Sequence, residues 1–491
     1  MDKPQEMFDR DSEWAALSAF VTDDRPGATL GVVSGRRRQG KTFLLDAITR
    51  AAGGFYFGAT EATNAESLRR FSDALTRFSS PPSAYHFEDW VEAVDALLAL
   101  GVARPIPIVI DEFPYLARAN PELPSILQQA FGPLRPERTG SRARLLLCGS
   151  AMSFMGRLLS GSAPLRGRAG LELVVPPLEY RMAAQFWGIE DPELAIKTHA
   201  IVGGTPAYPN EFLRGDVPRG PEDFDAWVVR TVLNPQTPLF REGRYLLAEE
   251  ADVRDPAIYL SVLSAVADGN TTRGGIATYL GRKAIDVAHP IAVLEDIGLL
   301  RRDGDAFRKN RSAFRIAEPL VAFYAGIMRP VWDQLQRPGM AERVWKASGH
   351  RFASKILGPH FEQLCREWAL FHADPEVFGG MPTSVASGGV NDPDARTLHE
   401  VDVVTIESTG SGKPRLLAIG EAKWQDTMGR AHLERLEHIR TILRKSGSFD
   451  TTETRLLCFS GAGFNDHLRE ASESRNDLRL IGAADLYRAV G

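Results

Sequence analysis

Cysteine is scarce and dispersed: Cys148, Cys365 and Cys458 are the three in 491 residues. No pair has zinc spacing and no disulfide framework is suggested, so the expected compartment is a reducing cytoplasm. The ten histidines are scattered without a metal-ligand spacing. Net charge is −5, so no global basic field draws in nucleic acid, and any such contact has to come from a local patch. No run approaches the roughly 18 apolar residues of a membrane span. The start, Met1-Asp2-Lys3-Pro4-Gln5-Glu6, has no apolar signal core. What remains is an ordinary globular composition, 44% hydrophobic and 25% charged, long enough for about three domains.

The most informative stretch is Gly35-Arg36-Arg37-Arg38-Gln39-Gly40-Lys41-Thr42. An apolar run, Leu30 to Val33, precedes it, and an apolar helical pattern, Phe43 to Ile48, follows. Strand, glycine loop and helix in that order, with G-x-x-x-x-G-K-T between them, form the phosphate-binding loop or Walker A motif. Gly35 and Gly40 let successive N–H groups turn toward one anion, and the helix start at Lys41 adds its positive dipole end. Lys41 is expected to reach the β- and γ-phosphates, and Thr42 to ligate magnesium.

About seventy residues later comes Pro107-Ile108-Val109-Ile110-Asp111-Glu112, the Walker B pattern. A buried strand would deliver Asp111 beside the loop as a magnesium ligand, and Glu112 would orient or deprotonate water. The next strand, Arg144 to Cys148, ends at Gly149-Ser150, which makes Ser150 a candidate γ-phosphate sensor; an ordinary turn residue is the alternative. Arg168, or Arg166, is a candidate charge for the γ-phosphate in cis or from a neighbouring subunit. An ordinary surface arginine explains either equally well.

Residues 179–240 look helical and less regular, broken at Gly203-Gly204-Thr205-Pro206, and are expected to form a lid beside the nucleotide. From 257 the pattern predicts three short helices. The third spans about 284–297, with Ile285, Ala288, Ile291, Ala292 and Leu294 as its apolar stripe. A hairpin over 299–308 follows, and together these read as a winged helix. Its third helix carries Asp286, Glu295 and Asp296, which phosphates repel, whereas the hairpin region carries Arg301, Arg302, Arg308, Lys309 and Arg311. DNA contact and a plain structural spacer both remain open for this module. Residues 312–345 read as a helical connection.

The last domain opens on an amphipathic helix, Phe361 to Leu370, and then a loop rich in Gly, Ser, Pro and Asp covers 376–397, expected to be mobile. The strand His399 to Ile406 places Asp402 opposite in facing to Val401 and Val403. A turn over 409–414 leads to the strand Arg415 to Lys423, in which Glu421 and Lys423 share a face. Pairing these strands would bring Asp402 beside Glu421. Two carboxylates and a lysine suit metal-dependent phosphodiester hydrolysis: Asp402 and Glu421 hold Mg2+ or Mn2+, Lys423 positions water or steadies the pentavalent phosphorus, and Glu362 adds a ligand or a water-orienting group. A cross-strand ion pair that merely holds a sheet together is the alternative.

These motifs together resemble the archaeal-type P-loop ATPases, a STAND/AAA-related group, in the form fused to a winged helix and a C-terminal domain similar to PD-(D/E)XK nucleases. The resemblance rests on Phe8-x-Arg10, the Gly35–Thr42 loop, Ile110 to Leu116, Gly149-Ser150, Gly203 to Tyr208, Glu400-Val401-Asp402 and Glu421-Ala422-Lys423. Val401 stands where the nuclease pattern often has proline. The resemblance implies an α/β chain: a P-loop ATPase core over 1–178, helical lid over 179–250, winged helix over 251–318, helical linker over 319–345 and restriction-endonuclease-like domain over 346–491. It implies ATP and Mg2+ at Gly35, Gln39, Gly40, Lys41, Thr42 and Asp111, with Ser150 and Arg168 as candidate contacts and Glu112 catalytic. The expected function is ATP hydrolysis gating a nuclease-like site on DNA, with self-association and no membrane. Two alternatives stand beside it: a nucleotide-switched regulator or scaffold with an inactive nuclease-like fold, and a winged-helix DNA-binding regulator.

Overall fold

The structure, a computed structural model of the full chain, describes residues 1–161, 163–248, 256–408, 410 and 412–488. The chain divides into two compact units, one built from residues 1–178 with 205–207 and the other from 179–204, 208–248 and 256–488. The expected lid-to-winged-helix boundary at 250/251 and positions 409 and 411 of the expected 409–414 turn lie outside the described residues. No helix among the described residues is long and apolar enough to cross a membrane.

The first unit is a five-stranded sheet of β1 (Thr29–Ser34), β2 (Phe55–Gly58), β3 (Ile106–Asp111), β4 (Ala143–Gly149) and β5 (Ala169–Val174), in the order β2-β3-β4-β1-β5. Every neighbouring pair is parallel. Both faces are covered, as a parallel sheet requires. Leu30, Val32, Ile108, Ile110, Leu145 and Leu147 pack on one face with the Asn64–Ser79 and Trp90–Leu100 helices. Val33, Val109, Leu146 and Cys148, one residue out of phase, pack on the other with the Asp11–Val21 and Lys41–Ala52 helices. Thr63 and Asp89 accept backbone N–H bonds at the starts of the 64–79 and 90–100 helices, which fixes where those helices begin.

In the second unit, helices Pro256–Ala267, Arg273–Tyr279 and Ala288–Asp296 are followed by an antiparallel hairpin of β6 (Leu300–Gly304) and β7 (Ser312–Ile316). Val262, Leu263, Ile276, Ile291, Leu294, Leu300 and Phe314 share their core. Further along lies a mixed sheet of β8 (Ser384–Asp392), β9 (Thr397–Glu407), β10 (Arg415–Lys423), β11 (Arg455–Ser460) and β12 (Leu478–Gly482), in the order β12-β11-β10-β9-β8. The Gly358–Phe371 helix packs Phe361, Leu364 and Trp368 with Val403, Leu417 and Leu457. The Arg430–Ser446 helix packs Leu433, Leu436 and Ile439 with Val404, Leu416 and Leu456. Alternate strand residues thus feed opposite layers.

Three sequence expectations are corrected here. The third short helix starts at Ala288, not 284, and Ile285 lies 75% exposed instead of in the stripe. A helix begun at 284 would place Pro290 inside it, where proline lacks the N–H and clashes with the preceding turn. The hairpin's second strand is 312–316, so 312–345 is not wholly helical. Asp305 is drawn off into contact with β8, its Oδ2 accepting Gly389 N–H at 3.1 Å, and the connection runs on to 311. Finally, the 376–397 stretch holds β8. Its backbone pairs with β9 despite a composition poor in strand formers, and Gly388 is required there because a Cβ would meet Phe307 at 2.6 Å.

Candidate functional site

The first site grows from the carboxyl end of β1. Gly35 has φ +150° and its missing Cβ would lie 2.5 Å from the Val175 carbonyl oxygen. Gly40 has φ +84° and stands directly before the Lys41–Ala52 helix. Only glycine serves both positions, and the loop between them ends on a helix N-terminus suited to phosphate. Lys41 is buried, and its Nζ donates to the Arg36 carbonyl at 2.7 Å, spanning the loop. Burial pushes the Lys41 amine below its ordinary range, against the raising effect of Cys148, Glu112 and Asp111. Gln39 is also buried; its Nε2 donates to Thr205 Oγ1 at 3.2 Å, and its carbonyl accepts from Arg10 Nη2 at 3.3 Å.

Asp111, at the end of β3, meets the loop. Thr42 Oγ1 donates to its Oδ2 at 2.8 Å and Tyr56 OH to the same oxygen at 2.6 Å, while Glu112 N–H donates to Oδ1 at 2.9 Å. Burial pushes the carboxyl upward, but hydrogen bonds from Tyr56, the Cys148 thiol, Thr42 and the Glu112 N–H outweigh it and hold Asp111 below its usual range. Glu112 sits at φ +52°, a left-handed conformation strained for a non-glycine residue. Ser150 Oγ donates to its two carboxylate oxygens at 3.2 and 3.3 Å. Arg37 Nε in turn donates to Ser150 Oγ at 3.3 Å and its Nη2 to Tyr115 OH at 3.4 Å. Thr42 and Asp111 supply the adjacent hard oxygens that magnesium takes, so the residues present fit a magnesium nucleotide.

Gly35, Gln39, Gly40, Lys41, Thr42, Asp111, Glu112 and Ser150 therefore converge. Arg168 does not. It precedes Ala169, which pairs with Leu30 at the opposite end of β1 from the loop, and its Nη1 donates to the Phe131 carbonyl at 3.3 Å. In cis it stands about one strand length, roughly 13 Å, from the loop.

A second cluster lies in the other unit. Lys423 Nζ is 3.1 Å from Glu421 Oε1 and 3.6 Å from Asp402 Oδ2. Asp402 Oδ2 accepts Ala422 N–H at 2.9 Å, and Arg366 Nη1 donates to the Asp402 carbonyl at 2.8 Å. Arg435 Nη1 approaches Glu421 Oε2 at 2.8 Å, yet that buried oxygen accepts no well-aligned hydrogen bond among the described residues. An under-satisfied carboxylate oxygen beside a second carboxylate fits a divalent cation. Glu362 joins them: burial, then the charge of Asp402, raises its carboxyl to about 7, opposed by Arg315 and Arg366. For Lys423, burial works downward, but Asp402 and Glu421 prevail and raise the ammonium.

Sequence reading missed Tyr56, Arg37, Thr205, Arg315 and Arg435. Tyr56 had a signal, since it lies on the strand next to the loop helix and pairs with Val109 on β3. The arginines had none, because the site groups they meet, Ser150, Glu362 and Glu421, lie 113, 47 and 14 positions away in the chain. The basic hairpin is also redistributed. Arg301 pairs with Asp303 at 3.2 Å, and Arg302 with Glu295 at 2.8 Å, stacked over Phe314. Arg308, Lys309 and Arg311 instead line a cleft with Asn310, Asn391 and Leu398.

No protein-family model matches the sequence. The chain is 25% identical over 426 residues to the uncharacterized protein MJECL04 of Methanocaldococcus jannaschii, covering 86% of this chain and 88% of that protein. Among solved structures it is similar to a Walker-type ATPase of Pyrococcus abyssi, with TM-score 0.49 and 19% identity over 66% of this chain and 97% of that one. It is also similar to the ORC2 protein of Aeropyrum pernix in its ADPNP–ADP complexes, with TM-score 0.39 and 16% identity over 71% and 97% of the two chains.

Proposed function

We propose that this chain binds and hydrolyses ATP with magnesium in its first unit, and that the nucleotide state gates a metal-dependent, nuclease-like site acting on DNA in its second. The observation that carries the first half is the meeting of Thr42 and Asp111 at 2.8 Å, with Lys41 and the glycine loop on the same sheet edge. Backbone N–H groups of the loop cradle the phosphates, and Lys41 exchanges the Arg36 carbonyl for a phosphate oxygen. When bound, magnesium neutralises charge on the β- and γ-phosphate oxygens. Glu112 orients the attacking water and Ser150 links its carboxylate to Arg37. This reading gives Arg168 a role only when a neighbouring copy presents it.

In the second unit the reading assigns 251–318 to a winged helix, 319–345 to a linker and 346–491 to a PD-(D/E)XK-like domain. Asp402, Glu421 and Glu362 would hold the cation, which polarises a phosphodiester and acidifies water when bound. Lys423, within 4 Å of both strand carboxylates, steadies charge on the phosphorus oxygens.

A second reading, a nucleotide-switched regulator with an inactive nuclease-like fold, draws on one feature: Lys423 and Arg435 stand on the two oxygens of Glu421, where a metal would bind. The full chain decides between them. ATP turnover is measured for wild type and Lys41→Ala, and cleavage of linear, circular and single-stranded DNA with Mg2+ or Mn2+ is followed with and without ATP. Cleavage lost in Glu421→Ala and Lys423→Ala and altered by ATP supports the gated nuclease. Intact ATP turnover with no cleavage leaves the regulator, and no turnover in wild type removes both readings.

A further inference from the structure

A third group of metal-ligating side chains lies away from Asp402 and Glu421. Asp392 ends β8 opposite Thr397, the first residue of β9, so His399 is its diagonal neighbour on the same face. His438 reaches the pair from the Arg430–Ser446 helix. Asp392 Oδ1 is occupied, accepting the N–H groups of Asp394 and Ala395 at 2.9 and 3.0 Å. Its Oδ2 faces two imidazoles, His438 Nε2 at 2.6 Å and His399 Nε2 at 3.4 Å. The three donor atoms lie within 4.8 Å of one another. The two rings stand nearly perpendicular, at 83°, with both Nε2 atoms facing Asp392 Oδ2.

We propose that Asp392, His399 and His438 bind one transition-metal ion of the zinc class, as a structural staple between the β8–β9 hairpin and the Arg430–Ser446 helix. The donor chemistry selects the ion. Two imidazole nitrogens and one carboxylate oxygen suit Zn2+, Co2+ or Ni2+, whereas magnesium and calcium favour all-oxygen sets. The geometry needs little change. Ligand atoms of a tetrahedral site with bonds of about 2.0–2.1 Å stand roughly 3.3 Å apart. His399 is already at that distance from Asp392, and His438 has to retreat by under about 1 Å while giving up a proton. His438 is 53% exposed at its side chain, so it has room, and water can complete the shell. The Asp394 and Ala395 N–H groups fix the carboxylate and leave Oδ2 to the ion, the arrangement of an outer shell that orients a ligand.

The staple has a consequence one helical turn away. Arg435, on the same helix three residues before His438, approaches Glu421 Oε2 at 2.8 Å and donates to the Glu400 carbonyl at 2.8 Å. Glu400 follows His399 in β9. The ion would tie helix to strand where Arg435 crosses between them.

The test uses full-length protein freed of metal with a chelator, titrated with Co2+ and with Zn2+. Co2+ should bind with visible ligand-field absorption that reports imidazole ligation, apart from the all-oxygen carboxylate set of Asp402 and Glu421. The affinity read from that absorption should fall at least about tenfold in His438→Ala and in His399→Gln, and stay unchanged in Glu421→Ala. Zn2+ should raise the melting temperature of wild type and Glu421→Ala, and not that of His438→Ala. His438 is exposed, so its variant is expected to fold, with metal-free melting as the check. Absence of that absorption in wild type, or absorption that survives both histidine substitutions, overturns the proposal and leaves a carboxylate hydrogen-bonded by two histidines.

Discussion

Tyr56 and Asp111 are joined by a 2.6 Å hydrogen bond, donated to the same carboxylate oxygen that accepts from Thr42. The tyrosine is therefore part of what keeps Asp111 ionised in a buried position. Tyr56→Phe should cost about 1.5 kcal/mol of stability at pH 7, the low end for a hydrogen bond to a charged group. The sign with pH follows from the lowered Asp111 value. Its contribution is present above the ordinary carboxylate value of 3.8 and is lost as pH falls through the folded value. Denaturant unfolding of the two proteins at pH 7 and near pH 3 should give a gap that narrows in acid. A constant gap would mean that Tyr56 acts through packing alone.

Binding and turnover should separate between Lys41 and Glu112. Lys41→Ala removes a charge-assisted phosphate interaction, so ATP affinity should fall roughly ten- to a hundredfold. Glu112→Gln keeps the shape and removes the proposed base, so affinity should change little while turnover falls by about 10²–10⁴. Calorimetric titration with ATP and magnesium, beside steady-state hydrolysis, reads both quantities. Equal effects of the two substitutions on affinity would contradict the separate roles.

Glu362 makes a prediction in the opposite pH direction. Its carboxyl is raised from 4.5 to about 7, by burial first and by Asp402 second. Folding therefore binds this proton more tightly than the unfolded chain does, and stability is lost as pH rises between those values. Glu362→Gln, which stays neutral, should gain melting temperature relative to wild type on going from pH 5 to pH 8. Adding Mn2+ should shrink that gain, because a cation favours the ionised carboxylate of the wild type. A melting difference that does not vary with pH would place Glu362 outside the charge cluster.

Local patterns made much of this legible. The β1–loop–helix unit and β3 announce themselves because their chemistry is contiguous in sequence, and each of Gly35, Lys41, Thr42 and Asp111 sits within a few residues of an apolar strand. Period-two alternation likewise placed Glu421 and Lys423 on one face, and their common approach to Asp402 follows from β9–β10 pairing. What escaped was set by tertiary contact. β8 is hidden in glycine and serine because its neighbours, Phe307 and Asp305, require the close approach that glycine permits. The Asp392–His399–His438 group has no motif spacing, since its third member arrives from a helix 46 residues away from the first. Which end of the sheet Arg168 occupies was not legible, because it depends on β5 running parallel to β1, a pairing set by tertiary contact.

The hairpin connection gives the last prediction. Arg301 and Arg302 look basic in sequence, but both are committed: Arg301 to Asp303, Arg302 to Glu295 and the face of Phe314. Replacing them should disturb the fold of 256–316 and lower stability, with little change in the salt dependence of duplex DNA binding. Arg308, Lys309 and Arg311 line the cleft beside Asn391 and Leu398, and on the proposed DNA-acting reading they are the hairpin cations that would meet phosphates. Each phosphate that a side chain ceases to neutralise flattens the slope of log affinity against log salt by about 0.9. Alanine at Arg308, Lys309 and Arg311 together should therefore flatten that slope by between about one and three units, measured by fluorescence anisotropy from low to moderate salt. If the slope changes instead with Arg301→Ala and Arg302→Ala, the ion pairs they make are not kept in solution and the proposed DNA contact falls on the strand face of β6.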